Sequence, residues 1–317
     1  MSDRDANPGT ALDCAPDCDR QACTGPEGAR GAAATPGAAP PPVHRIPAHL
    51  RYLSRFVLVP LMALATGTFG CASLVCGLWD RSGRQQHLVA RAWAATMLRI
   101  ALSPVRLVGA EKLKQHPVAV YASNHLSYMD TPALFAKLPF QFRILAKQQL
   151  WKIPFVGWYL NRSGQVPVDS RSSRSAIAGL LRGVAALKAG MPLVLFPEGA
   201  RSPDGHMQTA HSGCAFMALR AGVPLIPLAL IGTYELLPIH VYSLRPRPLM
   251  IVVGDPIPTD GLTTRDADAL TARLYDEIAR MYYRYSDLIP APADGRLHET
   301  HATDANAANA PNVTHGA

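Results

Sequence analysis

The stretch "VAVYASNHLSYMD", residues 118–130, changes character at Ser123. Its first five residues are apolar and β-prone. The rest, "SNHLSYMD", places a histidine, His125, five residues ahead of an aspartate, Asp130. The spacing alone decides nothing: with 11 His and 17 Asp in 317 residues, about 0.6 such pairs arise by chance. Inside one continuous helix the two side chains would point roughly 140° apart, because five residues advance by about 500°.

Ser127 and Asp130 also spell S-x-x-D, the outline of a capping box. Pro132 argues against a helix that starts there. With Ser127 as N-cap, Pro132 would be the fifth helical residue, and its missing N–H would break the first rungs at a cost of about 3 kcal/mol. A helix starting nearer Asp130 or Thr131 takes Pro132 in its first turn. His125 then sits on the preceding turn, and the chain can fold back to bring the carboxylate to an imidazole nitrogen.

Working outward, short β-like runs alternate with helix-like ones after residue 104. Strands are expected at 105–109, 118–122, 142–146, 193–196, 225–230 and 249–254, and helices near 131–137, 172–189, 213–221 and 263–285. The pattern predicts an α/β fold with a mostly parallel central sheet flanked by helices. Ligand sites in such folds collect at the carboxyl ends of strands. His125 follows one strand, and "PEGARS", residues 197–202, follows another.

Ahead of this domain, residues 56–79 run 24 residues without a charge, long enough to cross a bilayer core. Arg45, Arg51 and Arg55 precede the run and Arg81, Arg84 and Arg91 follow it, so the positive-inside rule gives no orientation. Pro60 and "TGTFG", 66–70, weaken a single straight span and leave a shallow or re-entrant insertion equally open. In residues 87–103, His87, Arg91, Arg99 and Ser103 fall on one i+4 row. That narrow polar stripe suits an interfacial helix whose arginines reach for headgroups, or a core helix with a polar edge. The expected organisation is a disordered tail at 1–44, a membrane-associated helical segment at 45–103, the α/β domain at 104–287 and a second tail at 288–317. The tails are net −3 and −2, so the +8 of the whole chain leaves +13 on the body, which suits anionic membrane or phosphorylated substrates. A nucleic-acid partner would explain the charge but not the apolar run.

Cys14, Cys18 and Cys23 lie in the first tail without a fourth metal ligand, and no disulfide is implied. No H-E-x-x-H or comparable ligand spacing occurs, so no metal is expected. In "LVLFPEGARS", 193–202, Gly199 permits a tight bend and Arg201 offers a planar fork suited to phosphate. In 145–171, Lys147 stands just beyond a strand. Ile153, Phe155, Trp158 and Leu160 then read either as a core helix or as the wall of an acyl-chain groove.

Four blocks occur in order: N-H-x4-D after a strand, A-K-x2-L-x2-I-P-x2-G-W, F-P-E-G-x-R-S, and "AGVPLIPLALIGT" at 221–233. Together they resemble the glycerolipid acyltransferases, and within them the 1-acylglycerol-3-phosphate acyltransferases, over about residues 87–255. The resemblance implies that His125 is the general base for the acceptor hydroxyl and that Asp130 orients it. It implies that Lys147 and Arg201 bind the acceptor's phosphate, and that Glu198 and Gly199 shape the acceptor loop; the role of Asn124 stays open. It also implies coenzyme A or acyl-carrier protein as acyl donor, a lysophospholipid acceptor, membrane lipids as partners and no resident cofactor. The expected location is a bacterial inner membrane, with the catalytic domain facing the cytoplasm. Two positions depart from the family pattern. Ala200 stands where Thr is frequent, and "AHSG", 210–213, replaces F-K/R-x-G, so His211 stands for a permanent cation. These keep open another acceptor, such as a lyso-ornithine lipid. A catalytically silent membrane lipid-binding protein would be expected to lack His125 or Asp130.

Overall fold

The computed structural model describes residues 47–80, 82–153, 156–169 and 173–286. Both expected tails, with Cys14, Cys18 and Cys23, lie outside the described residues. Seven strands form one sheet in the order β1-β7-β6-β2-β5-β3-β4. They are β1 (Val105–Val108), β2 (Val120–Ser123), β3 (Arg143–Lys147), β4 (Val166–Val168), β5 (Leu193–Leu195), β6 (Leu225–Ile231) and β7 (Leu249–Val253). All neighbours are parallel except β6 and β7, so β1 and β7 run against the other five strands. The sheet is thus mixed but mostly parallel. Its central strand, β2, is the one that delivers His125.

Alternation along the strands divides the core between two faces. Tyr121, Val194, Ile226 and Leu228 pack with Ala94, Met97 and Phe135 from helices Arg84–Ile100 and Asp130–Lys137. Val120, Ala122, Leu195 and Leu225 pack with Val184, Ala215, Leu274 and Ile278 from helices Ser173–Lys188, Gly213–Ala221 and Ala267–Tyr285. Both faces are covered, which is why β2 reads as an unbroken apolar run rather than an alternating one.

Several sequence expectations change here. β4 was not expected: the proline at the centre of "VPV" offers no N–H to a ladder and weakens the strand signal, and β4 forms at the sheet edge. The short helices Ala110–Gln115, Val156–Arg162 and Thr233–Leu236 were also missed, each under eight residues and too short to show a period. The polar stripe on the helix at Arg84–Ile100 divides, with His87 and Ser103 buried and Arg99 exposed, which fits a core helix with a polar edge rather than an interfacial one. His87 packs against Phe135 at a tilt and edge-on to Phe142, and meets the Phe140 carbonyl at 3.1 Å. Burial holds it well below its ordinary 6.5, at about 4, so it is a neutral core residue. This helix shares the core of the sheet, so the α/β domain extends before residue 104. The core-helix reading of 153–160 fails too: Ile153 and Trp158 are 47% and 56% exposed, and only Gly157 and Leu160 of the described residues there are buried.

The apolar run forms one helix, Ala48–Cys76, the single helix among the described residues long and apolar enough to cross a membrane. A π-helical turn at Ser54–Leu58 directly precedes Pro60, accommodating the proline without ending the helix. One stripe of this helix is fastened to the domain. Ser54 Oγ accepts from Leu244 N at 2.7 Å, Leu58 is buried, and Met62 and Ala65 pack on the core. Thr66 Oγ1 accepts from Trp93 Nε1 at 3.1 Å, and the Ser73 carbonyl accepts from Gln86 Nε2 at 3.4 Å. Just beyond the helix, Arg162 donates to the Gly77 carbonyl at 3.3 Å. The opposite face presents Tyr52, Phe56, Leu61, Leu64 and Val75 to the outside.

Where the reversed strand pair begins, Gly109 leaves β1 at φ 78°, and a Cβ there would lie 2.8 Å from the Val253 carbonyl oxygen. Gly109→Ala therefore adds left-handed strain to a backbone clash. It should cost about 1–3 kcal/mol in a urea melt, and an unchanged midpoint would show that β1 and β7 separate freely.

Candidate active site

The His125 loop leaves the central strand and re-enters structure at Asp130, the first residue of its helix. Pro132 is then the third helical residue, as the proline argument requires. Asp130 is fully buried, and its Oδ2 accepts from three donors: His125 Nδ1 at 2.8 Å, Leu126 N at 2.7 Å and Ser127 N at 2.8 Å. One oxygen thus holds both the loop amides and the imidazole. A carboxylate accepts only, so Nδ1 carries the proton and Nε2 is the nitrogen left for chemistry. The imidazole lies flat against Phe196, 3.9 Å between centroids and 14° between planes. That contact fixes the second degree of freedom of the ring.

Glu198 ties the two sequence blocks together. Its Oε1 accepts from His125 N and its Oε2 from Gln208 N, each at 2.9 Å. Ser202 N donates to the His125 carbonyl at 2.9 Å. Arg201 Nε donates to the Ser127 carbonyl at 3.3 Å, and its guanidinium lies 4.4 Å over the Tyr128 ring. Burial pushes the Glu198 carboxyl up to about 8, against the pull of its two backbone N–H bonds and with the nearby Asp130 charge adding to the rise. Gly199 turns at φ 68°, and a Cβ there would meet the His211 ring at 3.3 Å. His211 N donates to the Pro197 carbonyl at 2.9 Å, so this departure from the family pattern stands against the same turn.

His125, Asp130, Glu198, Gly199 and Arg201 are therefore brought together. Lys147 is not in direct contact with them. It ends β3, two strands from β2 through β5, on the same carboxyl edge and roughly 10 Å to the side. Asn124, whose role was open, is structural. Its amide accepts from Leu230 N at 2.7 Å and donates to Leu230 O at 2.9 Å, extending the β2–β6 ladder by one side chain. Sequence reasoning missed Gln208, whose side chain also holds the Arg201 carbonyl at 2.9 Å, and the tyrosines of the last helix. Tyr282 donates to the Gly205 carbonyl, while Tyr283 and Tyr275 take up the N–H and carbonyl of Met207. Nothing in the sequence pattern of the helix expected at 263–285 singled these tyrosines out.

Comparison with known proteins places this geometry. A family model described as Acyltransferase matches residues 104–231. A 1-acyl-sn-glycerol-3-phosphate acyltransferase of Saccharomyces cerevisiae is 30% identical over 232 residues, covering 72% of this chain and 76% of the yeast protein. The chain belongs to the 1-acylglycerol-3-phosphate acyltransferase family. The chloroplastic member from Arabidopsis thaliana is 31% identical over 66% of this chain, which spans 59% of that protein's length. The chain spans about half the length of the Brassica napus and Chlamydomonas reinhardtii relatives. The crystal structure of the Thermotoga maritima 1-acyl-sn-glycerophosphate acyltransferase shares the fold, with a TM-score of 0.62 at 23% identity over 73% of this chain and 95% of that one.

The raised Glu198 carboxyl has a consequence for stability. Between pH 6.5 and 8 the folded acyltransferase-family chain holds a proton on Glu198 that the unfolded chain, with a carboxyl near 4.5, has released. Stability should then fall as pH rises through this window, by at most about 1.4 kcal/mol per pH unit. His87 acts oppositely and only below 6.5, where the unfolded imidazole takes up a proton that the buried one refuses. Urea midpoints at pH 6.5 and 8 should differ in the native protein and converge in Glu198→Gln. An undiminished difference in the variant would assign the decline to another group.

Proposed function

We propose that this protein transfers an acyl chain from acyl-CoA or acyl-carrier protein to the free hydroxyl of 1-acylglycerol-3-phosphate, giving phosphatidate. The observation that carries the reading is the His125–Asp130 pair, held at 2.8 Å beside the Arg201 guanidinium in a chain of this family. His125 Nε2 takes the proton of the acceptor hydroxyl as its oxygen attacks the thioester carbonyl. The tetrahedral adduct collapses, the carbon–sulfur bond breaks, and the imidazolium returns its proton to the departing thiolate. Asp130 stabilises the imidazolium and keeps Nδ1 protonated throughout. Arg201, with its Nε committed to Ser127, keeps its outer N–H groups for the acceptor's phosphate, and Lys147 supplies a second cation from the same edge. Glu198 and Gly199 shape the turn on which the acceptor rests. The thioester brings its own activation, so the scheme needs no resident cofactor.

The membrane reading rests on the fastened stripe of helix Ala48–Cys76. A helix bonded along its length to an α/β domain lies in the plane of one leaflet with its outer face in the acyl layer, rather than crossing. On this reading the catalytic domain sits on the cytoplasmic face of a bacterial inner membrane. A second acceptor reading, a lysolipid such as a lyso-ornithine lipid, is supported by His211. Its ring sits against Gly199 in place of a fixed positive charge.

Membranes containing the protein, supplied with labelled acyl-CoA and lysophosphatidate, should form phosphatidate. His125→Ala and Asp130→Asn should each lower the rate by roughly 10²–10⁴-fold. Labelling of a lyso-ornithine lipid with lysophosphatidate ignored would move the protein to the second acceptor. If neither lysolipid is labelled from acyl-CoA or from acyl-carrier protein, acyl transfer is wrong and a silent lipid-binding protein takes its place.

A further inference from the structure

A cleft of about 450 Å³ opens between the end of helix Arg84–Ile100, the start of β1 and the end of helix Asp130–Lys137. No residue of the His125 site lines it. Leu98 and Val105 form its buried part with Ala136 beside them, and Arg99, Leu102 and Lys137 stand around its mouth. Its size is that of an ordinary small-molecule site, roughly 300–1,000 Å³. Its chemistry is lopsided: an apolar trough with two cations, neither of which forms an ion pair among the described residues.

The cleft lies at the end of the uncovered side of helix Arg84–Ile100. Leu88, Ala92, Ala95, Arg99 and Leu102 recur at helical spacing along the uncovered side of the helix and its closing turn, and the stripe runs into the cleft mouth. Leu102 stands out on two counts. It is 60% exposed, and it holds a left-handed backbone at φ 53°, a conformation that crowds the Cβ of any residue but glycine. The turn is pinned by Ser103, whose hydroxyl donates to the Ala101 carbonyl and accepts from Arg247 N. A leucine fixed outward in this way, next to an arginine and a lysine, suits a surface where methylenes and a phosphate meet.

We propose that this cleft binds one anionic phospholipid of the bilayer, with an acyl chain along Leu98, Val105 and Ala136 and the phosphate between Arg99 and Lys137. The occupant is anionic because the two cations lining the cleft, Arg99 and Lys137, have no ion-pair partner among the described residues. It is a bilayer lipid because the uncovered apolar stripe of helix Arg84–Ile100 runs into the cleft. The site is separate from acyl transfer and needs no acyl donor to fill.

The test uses the full chain in detergent, without acyl donor, offered phosphatidylglycerol or phosphatidylcholine and read by native mass spectrometry. One phosphatidylglycerol should be retained in preference to phosphatidylcholine. Arg99→Gln with Lys137→Gln should lower its retention by roughly ten- to thirty-fold. Arg99→Lys with Lys137→Arg, which keeps both charges, should retain it. Arg51→Gln with Arg55→Gln, the same loss of charge away from the cleft, should also retain it. Equal retention of the two lipids, or equal loss in both glutamine pairs, would overturn the proposal in favour of general charge attraction. Loss in the charge-keeping pair would overturn it in favour of a folding defect.

Discussion

One oxygen atom, Asp130 Oδ2, gathers three donors within five residues of sequence, and the loop it closes has few other ways to satisfy its backbone. A buried N–H without an acceptor costs about 1–3 kcal/mol, and residues 125–127 present three in succession. Glu198 takes the first and Asp130 the other two. The carbonyls of His125 and Ser127 are taken by Ser202 N and Arg201 Nε. The two sequence blocks thus complete each other's hydrogen bonding. The imidazole is oriented by the same carboxylate that lets the loop be buried, so removing Asp130 would disturb the turn as well as the base.

This coupling explains what was legible in the sequence. The proline placed the helix start, and the apolar run before Ser123 placed the strand, because both rest on local backbone chemistry. That Asp130 could reach His125 came from those two placements. The partnership of Glu198 with the His125 loop did not, because residues 73 apart in sequence meet only through the parallel order β6-β2-β5. Gln208 was hidden for the same reason, and additionally because half of its contribution is a backbone N–H, which no residue type announces. Asn124 belongs to the same class: an amide that acts as an extra rung of a parallel ladder looks, in sequence, like any polar residue in a turn.

The apolar helix shows the complementary failure. Hydropathy registers how much of a helix avoids water and is blind to what it packs against. Twenty-four uncharged residues fit a span, a re-entrant insertion or a covered core helix equally well. The stripe from Ser54 to Gly77 fastens the helix to the domain, and it is made of inconspicuous residues: a serine hydroxyl, a threonine hydroxyl and two main-chain carbonyls. The same blindness left His87 open between an interfacial edge and the core. On a helical wheel it joins Arg91 and Arg99 as a polar edge, yet the rings it packs against are Phe135, from helix Asp130–Lys137, and Phe142, just before β3.

Charge in this domain is distributed by the same logic of edges. The acidic side chains nearest the site, Asp130 and Glu198, are buried, and Asp130 Oδ2 and both Glu198 oxygens accept from loop amides. The cations, Arg201 and Lys147, sit where strands of the sheet end. An anionic acceptor approaching that edge meets positive charge first, and the carboxylates only through the imidazole that one of them orients. Glu198, poised near 8, sharpens this arrangement: holding its proton at neutral pH removes a second buried negative charge from beside the position that a phosphate would occupy. Burial, which raises the Glu198 carboxyl, works against the two loop N–H bonds that favour its ionised form. The penalty appears as the loss of stability on the alkaline side, where that proton can no longer be kept.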